Sequence, residues 1–249
     1  MFPPLPMPPE SERALQLDYH RDADPSHVAW QTTGPYFAAT EARLLGDIRC
    51  DASERLLEIG CGEGANLHHL GRVEGLRVGV DFSLNKTIAA SATGAQVACA
   101  DATRLPFADG AFDVVLIRDL LHHVPARLAV LNEAYRVLRR GGRLHLIEPN
   151  ARSPLVFLQA VTVRAERGLL QSTERRLKDE LAAADFRDIN LVAAQPFPIA
   201  RVVLNPRFGA PALGGVSLVA NALAVIDDLS ARVLPQAAWL YLCFSAVRP

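Results

Sequence analysis

Short runs of aliphatic and β-branched residues alternate along the chain with longer stretches whose apolar positions recur every three or four residues. A period of two marks strands and a period near 3.6 marks helices, so the two patterns set the element order. Strands are expected over 55–59, 76–80, 95–99, 113–117 and 143–147. Between the last two, Pro125 marks a helix start; Leu128, Leu131, Ala134, Tyr135 and Leu138 then share one face until Gly141 and Gly142 stop the helix. A further helix over 174–184 leads to strands over 189–193 and 239–247. Strands that alternate with helices predict an α/β fold, a doubly wound and mostly parallel sheet. Residues 1–49 fall outside the alternation and are expected to form a leader and a helical cap, with the main domain over 50–249. The stretches 150–173 and 196–235 also fall outside it and read as lid insertions, because ligands of such sheets bind beyond the carboxyl ends of the strands.

Composition narrows the partners. The 249 residues suffice for one α/β core with insertions, half of them hydrophobic and 21% charged, the balance of an ordinary globular protein. A formal charge of −1 supplies no overall attraction to nucleic acid, which is not expected as a partner. The stretch 208–226 carries no charge, but Pro211, Gly214, Gly215 and Asn221 dilute it below what a membrane span needs. A buried or lid helix is expected there, with no stable membrane insertion and peripheral contact left open. Cys50, Cys61, Cys99 and Cys243 form no C-x-x-C pair, so reduced thiols in a cytoplasmic setting are expected, with neither a zinc knuckle nor a disulfide framework. The proline-rich start lacks the basic flank and apolar run of a signal peptide and reads as a frayed leader. Residues 151–210 hold nine Lys or Arg against six acids, which fits either a solvated helix face or an anionic group on a substrate.

The chemistry-bearing residues start at the first strand's end. Glu58-Ile59-Gly60-Cys61-Gly62-Glu63-Gly64 follows that strand and opens a helix, so its glycines allow a tight turn and close backbone approach by a ligand. Gly60, Gly62 and Ala65 also satisfy the dinucleotide fingerprint G-x-G-x-x-G/A, and Asp81 stands about where that fingerprint places a ribose-binding acid. At this point a nicotinamide-dependent oxidoreductase stays open. The downstream segments discriminate: Val80-Asp81-Phe82-Ser83, Ala100-Asp101-Ala102, Leu105-Pro106-Phe107, Phe112-Asp113-Val114-Val115, Leu121-His122-His123-Val124 and the run from Val137 to Leu144 follow in order.

With those segments in register, the chain over roughly 50–195 resembles the class I S-adenosylmethionine-dependent methyltransferase superfamily, in particular its small-molecule, type 11-like branch. The resemblance implies a seven-stranded Rossmann-like methyltransferase fold and S-adenosylmethionine as cofactor. It also implies roles: Glu58, Gly60, Cys61 and Gly62 at the methionine part, Asp81 on the ribose hydroxyls, and Phe82 on the adenine. Asp101 and Ala102 would read the adenine edge, Arg118 would contribute backbone near the methionine end, and His123 is counted among the cofactor-binding residues. Some O-methyltransferases of the superfamily pair a histidine in the Leu-His-His position with an acid closing the fifth strand, an arrangement that His122 and Glu148 fit. A hydroxyl must lose its proton as it attacks, and histidine is the side chain matched to that task near neutral pH. The reading is therefore methyl transfer to a small-molecule acceptor, a hydroxyl of a lipophilic or natural-product-like metabolite. A nicotinamide oxidoreductase sharing the glycine turn and a cofactor-binding protein without catalysis are the alternatives. Asp119, Glu148 and Asn150 offer oxygen ligands of the kind magnesium takes, but a more definite ligand set is expected of a metal enzyme, and no metal is expected here.

Overall fold

A computed structural model describes residues 10–20, 22–23, 32, 35–196, 199–204 and 209–249. The expected leader over 1–9, together with Arg207 and Phe208, lies outside them. The strands are β1 (Arg55–Ile59), β2 (Leu76–Asp81), β3 (Gln96–Cys99), β4 (Phe112–Arg118), β5 (Leu138–Pro149), β6 (Arg187–Ala194) and β7 (Tyr241–Val247). They form one sheet in the order β3-β2-β1-β4-β5-β7-β6, parallel from β3 to β5, with β7 antiparallel to both its neighbours. The order reverses beside β1, which opens a crevice beyond the carboxyl ends of β1, β2 and β4.

The central strands are apolar without alternation because both of their faces are covered. Leu57 and Ile59 of β1 join Val115 and Ile117 of β4 in one core. That core is closed by α5 (Arg127–Val137), through Val130, Leu131, Ala134 and Val137, and by Leu177 and Leu181 of α7 (Glu174–Ala183). The neighbouring residues Leu56, Val114 and Leu116 point the other way, onto Leu45, Ile48 and Leu70, and onto Val156 and Ala160 of α6 (Pro154–Thr162). Local chemistry sets the helix starts: the Ser83 hydroxyl accepts from the Lys86 N–H at α4 (Leu84–Ala90), Thr173 does the same for Arg176 at α7, and Pro154 occupies the first turn of α6.

Three expectations are corrected. α5 ends at Val137 and the chain enters β5 at Leu138, so Gly141 and Gly142 lie inside the strand rather than capping the helix. There the Gly141 N–H donates to the Arg248 carbonyl (2.7 Å) and the Arg248 N–H donates to that of Gly142 (3.0 Å). Leu128 is exposed; its expected place on the buried face is taken by Arg127, whose guanidinium is paired with Glu180 of α7 at 2.9 Å. The last strand starts at Tyr241, because the 3-10 turn Gln236–Ala238 precedes it and the Trp239 indole N–H donates to the Leu234 carbonyl.

The cap contains α1 (Glu10–Tyr19) and α2 (Pro35–Leu44). The uncharged stretch supplies the first ten residues of α9 (Ser217–Val233), which braces this cap: Ala220 and Leu223 pack with Tyr36 and Phe37 of α2 and with Ala200 and Leu204 around α8 (Ile199–Val203). The Tyr36 hydroxyl donates to Asp227 at 2.6 Å. Among the described residues no helix is long and apolar enough to cross a membrane. All four cysteines are free thiols.

Candidate cofactor and acceptor site

A cavity of about 590 Å³ lies at the carboxyl ends of the central strands, under α1, α6 and the 3-10 segment Arg164–Gln171. Its floor is the turn after β1. The N–H groups of Gly60 and Cys61 both donate to the Val80 carbonyl, at 2.8 and 2.9 Å, which ties the turn to β2. Gly62 has φ +51°, and a Cβ placed on it would meet nothing within 4 Å. The residue thus keeps open a stretch of cavity wall that a side chain would fill. The Gly62 N–H donates to one oxygen of Asp81 (3.0 Å) and the Ser83 N–H to the other (2.9 Å). Burial raises the Asp81 pKa above the ordinary carboxylate value, against the two amide donors, which hold it down. Each oxygen keeps a lone pair for a ligand. Phe82 presents a ring that is 40% exposed along the same wall.

Behind the floor runs a buried polar chain. Glu58 is fully buried and accepts from the Asn66 amide at 2.6 Å; burial pushes its carboxyl up to about 7, against Asn66 and Arg118. The Asn66 oxygen accepts from Arg118 (2.7 Å), whose guanidinium also pairs with Glu41 of α2. Glu41 takes Arg201 of α8 as a second partner at 3.4 Å. The cap is therefore fastened to the floor of the cavity by charge rather than by apolar packing alone.

The opposite wall carries the titratable cluster. His122 lies in the 3-10 turn Leu121–His123 after β4, and its Nδ1 is 2.8 Å from Glu148 Oε2. Glu148 closes β5 with no solvent exposure, and its other oxygen accepts the N–H groups of Leu120 and Leu121 at 2.9 and 2.7 Å. These bonds fix the ring so that Nε2 turns to Glu166, 3.7 Å away on the 3-10 segment. Burial works to lower the His122 pKa, but Glu148 and then Glu166 more than offset it, so the imidazole sits above its ordinary 6.5. His123 goes the other way: burial, then the neighbouring His122 and His20, hold it well below 6.5. Its ring lies 4.1 Å from that of His20, and its Nδ1 is 3.2 Å from Gln16 Oε1 of α1. Gly168 lets the 3-10 segment lie against the His turn, since a Cβ there would overlap the His122 carbonyl oxygen.

Residues 57–146 match the methyltransferase domain family. Over 113 residues the chain is 40% identical to the 27-O-demethylrifamycin SV methyltransferase of Amycolatopsis mediterranei, covering 42% of each protein. Over 101 residues it is 37% identical to the demethylmenaquinone methyltransferase of Mycolicibacterium vanbaalenii, covering 41% of this chain and 44% of that one. Each match thus spans less than half the length of the relative. In three dimensions the chain is similar to the geranyl diphosphate C-methyltransferase of Streptomyces coelicolor, solved with Mg²⁺, geranyl-S-thiolodiphosphate and S-adenosyl-L-homocysteine. The TM-score is 0.67 at 15% identity, over 98% of this chain and all of the other. Over residues 57–146 the chain thus carries a methyltransferase domain, and its fold is the Rossmann-like fold of the S-adenosylmethionine-dependent methyltransferases. That family's cofactor is S-adenosylmethionine.

Gly60, Cys61, Gly62, Asp81, Phe82, Asp101, Ala102, Arg118, His122 and His123 all line this same cavity. Glu58 and Glu148 stand behind its wall, touching it through Asn66 and His122. The Arg118 side chain is spent on Glu41 and Asn66. The proposed oxygen ligands do not converge: Glu148 is taken up as described, the Asn150 amide donates to the Ala237 and Trp239 carbonyls, and Asp119 accepts from the Tyr241 hydroxyl. Among the described residues, the groups that do gather ligand atoms within 4.8 Å are His122, His123 and Glu166. Gln16, Asn66, Glu166, Arg201 and Tyr241 are wall residues the sequence reading missed. Asn66 alone had a local signal, its place on α3 (Ala65–His69), the helix opened by the glycine loop.

Proposed function

We propose that this chain transfers a methyl group from S-adenosylmethionine to a hydroxyl of a lipophilic small molecule, with His122 as the base. The observation that carries the reading is the His122–Glu148 pair. A fully buried carboxylate, itself fixed by two backbone N–H groups, holds Nδ1 and leaves Nε2 on the side of Glu166, a residue that also lines the cavity. The floor fits the cofactor: Gly62 leaves room where a side chain would intrude, and Asp81 offers a carboxylate already oriented by two amides. Gly60, Cys61, Gly62 and Asn66 would hold the amino-acid part, Asp81 the ribose, and Phe82, Asp101 and Ala102 the adenine. When bound, the cofactor supplies a methyl group on an already activated sulfonium. The protein's share is alignment, exclusion of water and removal of one proton. Neutral His122 takes the acceptor's proton at Nε2, and Glu148 stabilises the imidazolium that results. The name of the rifamycin relative specifies an O-demethyl acceptor, which supports oxygen as the nucleophile.

The test is incubation with S-adenosylmethionine and a panel of lipophilic phenols and alcohols, read as methylated product by mass spectrometry. Calorimetry with S-adenosylhomocysteine and with NAD runs alongside it. Tight binding of NAD in place of S-adenosylhomocysteine would make the chain an oxidoreductase. Binding of S-adenosylhomocysteine with no product on any nucleophile would leave a cofactor-binding protein without catalysis.

A further inference from the structure

The roof of the cavity has an outer face that neither the fold nor the site accounts for. α6 contains no charged residue, and its apolar side chains divide between two sides. Val156 and Ala160 are buried against the sheet, whereas Phe157, Leu158 and Val161 are 54%, 55% and 50% exposed. Spacings of one, three and four residues put those three on one side of a helix. The 3-10 segment packed against α6 divides the same way. Ala165, Glu166 and Leu169 are buried, while Arg164, Arg167 and Leu170 are exposed at the three-residue spacing that a 3-10 helix eclipses. Arg152, just ahead of α6, is exposed as well. No acid stands within ion-pair distance of Arg152, Arg164 or Arg167 among the described residues. The only acid of residues 151–173 is Glu166, which is turned inward to His122.

We propose that this surface docks the protein on an anionic lipid bilayer, with Phe157, Leu158, Val161 and Leu170 entering the interface and the three arginines meeting anionic head groups. An uncharged helix with an apolar outer stripe and a basic rim is what interfacial binding requires, since the apolar and electrostatic parts act together. Charge decides against a second copy of the chain as the occupant. A two-fold contact would set the arginine rim against itself with no acid to pair it. α6 also lines the cavity through Val156 and Gln159, so docking would place the lipid against the roof of the site. The proposal is independent of the acceptor and of the reaction assigned above.

Flotation of the full chain with vesicles tests it. Phosphatidylcholine vesicles containing about one-third phosphatidylglycerol should carry at least about tenfold more protein than phosphatidylcholine alone, and salt should abolish the difference. Arg164→Glu with Arg167→Glu should remove that preference. Phe157→Ser with Leu158→Ser should lower binding about tenfold or more, since each exposed apolar side chain contributes through buried area. Melting followed by circular dichroism shows that both variants fold, as surface changes should. Equal partition onto the two vesicle types overturns the proposal, as does wild-type binding by the folded variants. So does a dimer in sedimentation that the Phe157→Ser and Leu158→Ser pair dissociates, because a second copy would then cover the face.

Discussion

The two walls of the cavity are built in different ways. The wall proposed for the cofactor is made of neighbours in sequence: a turn at 60–64, an acid one strand later and a short loop at 101–102, all positioned by backbone geometry and parallel register. The wall proposed for the acceptor is assembled across the chain, from His122 and His123 of the β4 turn, Glu148 of β5, Glu166 of the roof and Gln16 of α1. The family match and both curated relatives cover no more than about half of the chain, and the matched residues 57–146 contain the first wall but stop short of Glu148 and Glu166. A cofactor site can be conveyed by a contiguous segment, because its ligand is fixed. An acceptor site depends on elements that meet only when the whole domain has closed.

If the walls are separable, mutations should split cleanly between cofactor affinity and turnover. The largest effect is expected from Gly62→Val. A left-handed φ costs a side chain about 1–2 kcal/mol, and the branched group would fill the open cradle, so S-adenosylhomocysteine binding should fall by roughly a hundredfold or more in a folded protein. A variant that binds normally in calorimetry would remove the cofactor from this turn. His122→Ala should come next, slowing turnover about a hundredfold with cofactor affinity kept. Loss of cofactor binding instead would join the two walls into one structural unit. Asp81→Ala should weaken the cofactor by about 1–3 kcal/mol without touching the acceptor's KM, the scale of charge-assisted hydrogen bonds lost in a partly closed site. Glu148→Gln should cost turnover less than His122→Ala, roughly tenfold, because the amide still fills the space but no longer stabilises the imidazolium.

The smallest effect concerns pH. His122 acts as a base only when neutral, and Glu148 and Glu166 hold its pKa above 6.5. Turnover should therefore rise with pH through a limb above 6.5 and then level. Glu166→Gln removes one of the charges that stabilise the imidazolium, so the limb should move to lower pH in a kcat profile. A limb that stays in place would show that Glu166 does not face the base in the working enzyme.

Short apolar runs predict β1 at its full extent and, apart from the early start of β5, the other strands to within two residues, because buried parallel strands must be apolar on both faces. Gly141 and Gly142 do not stop the helix: a glycine pair inside a strand looks locally like a cap, and only its pairing with the distant Arg248 distinguishes the two. Arg127 in place of Leu128 on the buried side was illegible for the same reason, since its partner Glu180 lies on another helix. In the site, the residues carried by motif were legible. Glu166 was not: nothing in Arg164-Ala165-Glu166-Arg167 marks one acid as inward, and its direction follows from the 3-10 winding and from the close approach at Gly168.

The sheet order has a consequence for how the domain is made. β6 is bonded to β7 alone, and β7 is the last of the seven strands in sequence. Until residues 241–247 are available, β6 has nothing to pair with and β5 presents a bare edge. Such edges are templates for association with other chains, and long-range pairings of this kind close late in folding. The half that carries the proposed cofactor wall can thus be laid down during synthesis in sequence order. The half that holds Glu148 and Glu166 waits for one antiparallel strand inserted between two others, and the growing chain is most exposed to misassociation during that interval.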